Sequence, residues 1–577
     1  MPFLVDSSLR FSSASAPTIS GTAILTRGRH TVVIPSAPLE VSLTRNISEE
    51  EIFKPARLSI SDGAMAKGSP APAAMDAVAL GAAAIITAMI ALYLVLKAAT
   101  GAVASVLGFL RKELVLARAP MAPGFIPLIG HTVTLFKAVG SYPCTWDLFA
   151  QWSTATAPKP VRVQIFTRHC VVIADPSTMK RVMSSNMKNY SKDLEFSYAP
   201  FLDILGTGLV TSGGDTWRKM RGNISKALRV EILDEIIAIA TRAVDRLCVK
   251  LDAIKGTGES IDMENEFRLL TLQVIGEAIL SLSPTESDAI FPSLYLPIMD
   301  ECNARSLSPW RTYLPTPEWF AHKKRVRQLD AAIIKIVRDR WDKKRSGGKV
   351  PDDILERVLD QEVNTGSLSA ETERQLCYEI KTFLLAGHET SAAMLTWTMH
   401  ELSDNLEATE KVRTESDAVF GRLKKNALPT RESLDTLDYS LAALKETLRL
   451  YSVVPVVTRV AEEDDDLGGV RIPKGTTVIM SLQGVHQRED LWPDPLVYKP
   501  ERFTDPGFNE NEGFKFLPFI QGPRNCLGQY LALLEARVVL CTLIRKYRWT
   551  KASAENGKKH TKAIPIAPAN GMHFTVA

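Results

Sequence analysis

A single cysteine set in a glycine loop is the first place where this sequence could do chemistry. The loop reads F-I-Q-G-P-R-N-C-L-G, from Phe519 to Gly528, and the run L-G-Q-Y-L-A-L-L-E-A-R-V-V-L follows Cys526. Two glycines and a proline describe a tight turn whose backbone comes close to something. The apolar stripe after it predicts a helix beginning just past Cys526. Free amide N–H groups and the positive dipole end at such a terminus stabilise a thiolate. A thiolate there can be a nucleophile, a redox thiol or a soft metal ligand, and the loop alone leaves all three open.

A second candidate is A-G-H-E-T-S, Ala386 to Ser391, inside a proline-free stretch from Asp352 to Leu428. The spacing predicts one long helix over Arg374–Leu402. Gly387 in its middle costs about 1 kcal/mol relative to alanine. The Thr390 hydroxyl can reach the carbonyl of Ala386 one turn back, which bends or opens a helix. An acid, Glu389, beside that hydroxyl is expensive to bury without a purpose. His388-Glu389 and His400-Glu401 each lack the second histidine of a zinc-protease helix.

Two further pairs share helical faces. Glu446 and Arg449 in E-T-L-R are three apart; taken alone they read as a solvated ion pair worth about 0–1 kcal/mol. Trp217 and Arg221 in W-R-K-M-R are one turn apart and can address one anionic group.

Phe519, Gly522, Arg524, Cys526 and Gly528 together resemble, position for position, the haem-binding loop of the cytochrome P-450 family. The resemblance extends from about Pro120 to the C-terminus. It implies a heme b whose iron is ligated by the Cys526 thiolate, with Phe519 shielding the sulfur and Gly522 and Gly528 shaping the loop. It implies propionate contacts from Arg524, Trp217, Arg221 and Arg459, the last in T-R-V. Glu389 and Thr390 would relay protons during oxygen activation, and Ala386 and Gly387 would make room for the oxygen. Glu446 and Arg449, with Arg502 of P-E-R-F (Pro500–Phe503), would form a buried network that fixes the core. One departure is Gln487, after His486, where many members carry arginine.

The elements that must position these residues are also written in the chain. Residues Ala77–Leu96 form twenty positions without a charge, matching a hydrocarbon core of roughly 30 Å. Lys97, Arg111, Lys112 and Arg118 follow, against Arg57 and Lys67 before, so the positive-inside bias places the C-terminal portion in the cytosol. Prolines 120, 123 and 127 predict a stiff extended connector. We therefore expect an extension over 1–74, a transmembrane anchor over 75–98, a Pro-rich linker over 99–130 and one large domain over 131–577. That domain should be mainly α with a smaller β region, with strand-like runs near 161–174 and 470–482.

Composition bounds the function. Hydrophobic residues make up 45% and charged residues 23%, with a net charge of +4, so the chain is globular and carries no nucleic-acid tract. Seven scattered cysteines without a C-x-x-C pair exclude a disulfide framework and the familiar zinc patterns. No dinucleotide or Walker loop is present, so electrons must come from a separate protein. On charge alone we expect a redox partner to dock through basic residues near the Cys loop, such as Lys515 and Arg537. The resemblance implies that this partner is an NADPH-dependent flavoprotein reductase. It also implies dioxygen and a small apolar organic substrate reached through membrane lipid. We expect the pocket to be lined by Ser191–Gly208, Ala386, Val453–Val457 and the Asn570-Gly571 turn.

Two other functions remain open: a haem-thiolate isomerase or dehydratase, and a non-catalytic haem or lipid carrier. The acid–hydroxyl pair Glu389-Thr390 speaks against the isomerase. For the compartment we expect the endoplasmic reticulum membrane with a cytosolic catalytic domain. The alternative is a plastid or mitochondrial membrane, because residues 1–38 carry Asp6 as their one acid before Glu40, against Arg10, Arg27 and Arg29, a bias that resembles a transit peptide.

Overall fold

The computed structural model describes residues 25–27, 30–32, 72–139, 144–228, 230–362, 367–424, 427–509, 513–557 and 565–577. Within 1–71, Leu25–Arg27 pairs antiparallel with His30–Val32, and the remainder of the extension lies outside the described residues.

The anchor forms the first helix, α1, Pro72–Leu116. Within its segment Met89–Leu116 an 18-residue window has a mean hydropathy of 1.9, and the segment is long and apolar enough to cross a membrane. Met89, Tyr93, Val95 and Leu107 are each about three-fifths exposed, so this is not a core helix of a soluble protein. The helix runs eighteen residues beyond the expected end at 98. Between there and Leu116 it meets only glycines, which cost about 1 kcal/mol each; the first strong breaker is Pro120. Its last turns dock on the domain. Glu113 pairs with Arg162 and lies 2.9 Å from His169, and Lys112 donates to the Gly475 carbonyl at 3.0 Å. The proline segment is also tied down, with Ala122 and Pro120 bonded to the backbone of Arg162.

The long helices of the domain are α2 (Gly214–Ala227), α3 (Val230–Ile254), α4 (Met263–Leu280), α5 (Pro317–Arg345), α6 (Ala370–Asp404), α7 (Leu406–Phe420), α8 (Asp438–Tyr451) and α9 (Gln529–Lys546). Helix α6 is the central one. The Ser369 side chain caps it by accepting from Thr372 N–H. It buries Leu384, Ala392, Ala393, Met394, Leu395 and Trp397 in the main core. Small residues at 392 and 393 let neighbouring helices approach closely.

The β region is smaller, as expected. Strands β1 (Val161–Ile165), β2 (Arg168–Ile173), β3 (Tyr190–Ser191), β4 (Ser260–Asp262), β5 (Val456–Ala461), β6 (Asp465–Leu467), β7 (Val470–Ile472), β8 (Thr477–Ser481), β9 (Trp549–Lys551) and β10 (His573–Val576) make three sheets. The largest has the order β1-β2-β8-β5-β3, antiparallel except for β8 beside β2. A smaller sheet, β9-β10-β4, leads directly into α4 through the Asp262 N-cap.

Candidate active site

The cysteine loop folds as its glycines require. Cys526 N–H donates to the Phe519 carbonyl at 2.9 Å and Asn525 N–H to Gly522 at 3.0 Å, closing two turns. Gly522 has φ +83°, and a Cβ there would lie 2.5 Å from the Met183 carbonyl oxygen. Only glycine fits. Helix α9 begins at Gln529, three residues past Cys526, with Gly528 as its N-cap.

Cys526 is exposed, whereas the other six cysteines are buried. Protein nonetheless surrounds it on its remaining sides, and burial pushes the thiol pKa up. The amides of Gly528 and Gln529 and the charge of Arg221 pull it back. No carboxylate or imidazole acts on it among the described residues, so it lacks the base of an activated nucleophile. A coordinating metal ion would deprotonate it outright.

Four cations gather beside this loop. Arg459 on β5 is 3% exposed and donates to the carbonyl of Thr458. Arg524 lies over the Trp217 ring at 4.3 Å and donates to Ser212 O at 3.1 Å. Arg221, one turn past Trp217 on α2, donates to Asn525 O at 2.9 Å. Lys192 lies 3.3 Å from Tyr198 Oη. Burial, then Arg459 and Arg221, bring the Arg524 pKa down to about 10. Burial, then Arg459 and Arg524, hold Lys192 well below the usual lysine range. No carboxylate appears among their partners in the described residues. Mutually repelling buried cations require an anion.

Sequence reasoning found Arg459, Arg524, Arg221 and Trp217 but not Lys192. Its local context, K-N-Y-S-K-D, carries no signal beyond charge.

On α6, Ala386 is exposed and Thr390 half-buried, one turn apart on a face that the core does not cover. Thr390 Oγ1 donates to Ala386 O at 2.6 Å, as expected. Glu389 points elsewhere: it is 6% exposed, and its Oε1 accepts from Arg268 of α4 at 3.2 Å. The acid and hydroxyl are therefore neighbours in sequence on different faces. Gly387 corrects the expectation that it makes room for oxygen. A Cβ there would meet Ile275 Cδ1 at 2.7 Å, so its missing side chain serves the close approach of α4. His388 is buried against Tyr295, ring centroids 5.7 Å apart, and burial brings its pKa down to about 3.

Glu446 and Arg449 are both fully buried and form a two-pronged pair at 2.8 Å. Arg502 reaches Glu446 Oε1 at 3.2 Å, while Arg449 donates to the carbonyls of His486 and Pro495. This is the expected network. Arg537 is a correction: it is 8% exposed and donates to Leu434 O, so it cannot offer a docking charge. Asn570 donates to Glu555, and Met572, just after the Asn570-Gly571 turn, donates its N–H to Asp262 at 2.8 Å, which ties the turn to β4. Val453 and Val456 are buried.

The family model for cytochrome P-450 matches residues 127–573. The chain belongs to the cytochrome P-450 family. It is 32% identical to the protein LUTEIN DEFICIENT 5, chloroplastic, of Arabidopsis thaliana, over 70% of each chain. It is 28% identical to cytochrome P-450 4c21 of Blattella germanica, over 81% of this chain and 94% of that one. Carotene epsilon-monooxygenase, chloroplastic, of Arabidopsis thaliana is 27% identical over 71% and 78%. The cytochrome P-450DA heme domain shares the fold, with a TM-score of 0.68 at 22% identity over 80% of this chain and 97% of that one. This P-450 is thus a haem monooxygenase, and the family binds its haem through a cysteine thiolate. The accessible sulfur of Cys526 and the cations without carboxylates fit that group, one as iron ligand and the others as carboxylate receptors.

Proposed function

We propose that this P-450 inserts one oxygen atom from dioxygen into a small apolar substrate, using electrons from an NADPH-dependent flavoprotein reductase. The observation that carries the site assignment is the convergence of Lys192, Arg221, Arg459 and Arg524 beside the exposed Cys526. When bound, the haem supplies the one-electron and dioxygen chemistry, which axial thiolate donation favours.

The chain's own residues do the rest. Cys526 holds its charge against the α9 N-terminal amides. The four cations and Trp217 bind and orient the cofactor's carboxylates. Phe519 shields the sulfur, and Gly522 and Gly528 hold the loop. Glu446, Arg449 and Arg502 fix the segments around it. Glu389 holds a proton on Oε2 while Oε1 accepts from Arg268. It turns toward Thr390, passes that proton to Oγ1 as the hydroxyl gives up its own, and returns to Arg268 as a carboxylate. Burial raises the Glu389 pKa while Arg268 pulls it down, the balance a carboxyl needs to bind and release protons.

The exposed apolar helix α1 anchors the domain beside lipid, a source of apolar substrates. We place it on the endoplasmic reticulum. A plastid membrane is the second reading, favoured by the acid-poor residues 1–38 and the chloroplastic relatives. Fluorescent fusions with and without residues 1–74 separate the two.

Reconstitution in lipid vesicles with reductase, NADPH and labelled dioxygen tests the function; carotene and fatty acids are suitable first substrates. One labelled oxygen atom per product supports it. Product formed without dioxygen and NADPH would show an isomerase instead, and bound substrate without NADPH use would show a carrier.

A further inference from the structure

A cavity of about 270 Å³ lies against α6 on the side that carries Glu389. Its polar lining is Glu264 and Arg268 of α4, Asp300 and Asn303 of the helix Leu296–Leu307, and Glu389 itself. That volume holds a chain of several waters. Asn303 Oδ1 is buried without a hydrogen-bond partner among the described residues, and an orphaned acceptor on a polar cavity calls for water.

The charges inside are graded from outside to inside. The Asp300 side chain is 69% exposed, that of Arg268 25% and that of Glu389 7%. Arg268 Nη2 stands between the two acids, 3.2 Å from Glu389 and 3.9 Å from Asp300. A modest swing exchanges one carboxylate partner for the other. Glu264 sits one turn before Arg268 on the same helix and lines the same cavity.

We propose that this cavity is the proton inlet to Glu389, with Glu264 as the proton-loading acid and Arg268 as the gate between Glu389 and Asp300. The proposal rests on the monooxygenase reading, in which Glu389 supplies protons. In each transfer an O–H bond breaks at the Glu264 carboxyl and one forms at Glu389, through water. Glu264 then takes its proton back from bulk solvent. Burial pushes the Glu264 carboxyl up to about 7, with Arg268 drawing it down and Asp262, Glu389 and Asp300 raising it. A group titrating there both gains and gives protons at neutral pH. Among the described residues those four are the charged groups that act on it, from its own helix and cap, from α6 and from Leu296–Leu307.

The test compares holoenzyme, Glu264→Gln, Glu264→Asp and Glu389→Gln. The first readout is an infrared titration of the carboxyl stretch, independent of turnover. A band with a midpoint near 7 should vanish in Glu264→Gln. The second is NADPH-driven oxygen reduction with reductase in vesicles, without added substrate, scored as water against peroxide. Glu264→Gln should lower the water share on the order of tenfold, raise the solvent deuterium isotope effect and remove the pH break, and Glu264→Asp should restore part. An unchanged water share in Glu264→Gln overturns the inlet whatever the band shows. If Glu389→Gln still collapses it, proton supply by Glu389 survives with another entrance; if neither variant matters, both ideas fall.

Discussion

Arg268 Nη2 and Glu389 Oε1 lie 3.2 Å apart although 121 residues separate them in the chain. The pair joins α4 to the turn of α6 that carries Thr390. It holds a deeply buried acid on the face away from that hydroxyl, so the proposed proton delivery requires the pair to open.

Glu389→Gln changes how stability depends on pH. Burial raises the Glu389 pKa in the folded chain above the unfolded value near 4.3. Between those two values the unfolded chain sheds the proton first, so wild-type stability declines as pH rises. The variant lacks this slope. Chemical denaturation across that range should show the variant gaining on the wild type as pH increases.

Arg449→Met leaves Glu446 buried beside Arg502 alone. Both members of the pair are fully buried, and removing one such partner costs about 3–5 kcal/mol. The denaturation midpoint should fall accordingly, and haem content of the purified protein with it. Arg537→Met should cost less, because its charged partner Asp435 is 62% exposed and the buried Leu434 carbonyl still accepts from Leu437 N–H.

Two glycines in the site should respond differently to alanine. At Gly522 the new Cβ meets the Met183 backbone oxygen at 2.5 Å with φ +83°, costing at least about 2 kcal/mol. At Gly387 it meets the flexible end of Ile275 at 2.7 Å, which can repack for about 1 kcal/mol. Thermal melts should rank Gly522→Ala well below Gly387→Ala.

Lys192→Met should have opposite effects with and without the cofactor. Burial and the neighbouring cations Arg459 and Arg524 hold the Lys192 pKa well down. Its protonation therefore opposes folding, and the haem-free wild type gains stability as pH rises toward the unfolded lysine value near 10.4. The variant removes that burden and should be about 1 kcal/mol more stable without haem, yet release haem faster. Melts of both forms, with haem transfer to apomyoglobin, check this.

Motifs with fixed local spacing were readable from the sequence. The Cys526 loop and the Glu446–Arg449 pair are held by turns and helical geometry over a few residues, so spacing carries their pairing, whereas the solvated setting read for Glu446 and Arg449 alone is corrected by their full burial. The Thr390–Ala386 bond likewise follows from one helical turn. Arg268 and Lys192 were not readable, because their partners arrive through packing of distant segments. The side on which Gly387 opens was equally hidden, since Ile275 belongs to another helix. Surface charge was the weakest guide: Arg537 looks like a docking residue in sequence and is buried against Leu434. The helix continues past residue 98, where composition changes, because helix-breaking chemistry begins only at Pro120.

The central claim is that Cys526 ligates the iron of a bound haem. The carbon monoxide difference spectrum of the dithionite-reduced protein, recorded beside Cys526→His, tests it most directly. A strongly red-shifted Soret band in the wild type, lost in the variant, is the predicted result. A well-folded wild type with full haem and no red shift, or with no haem at all, would contradict the account.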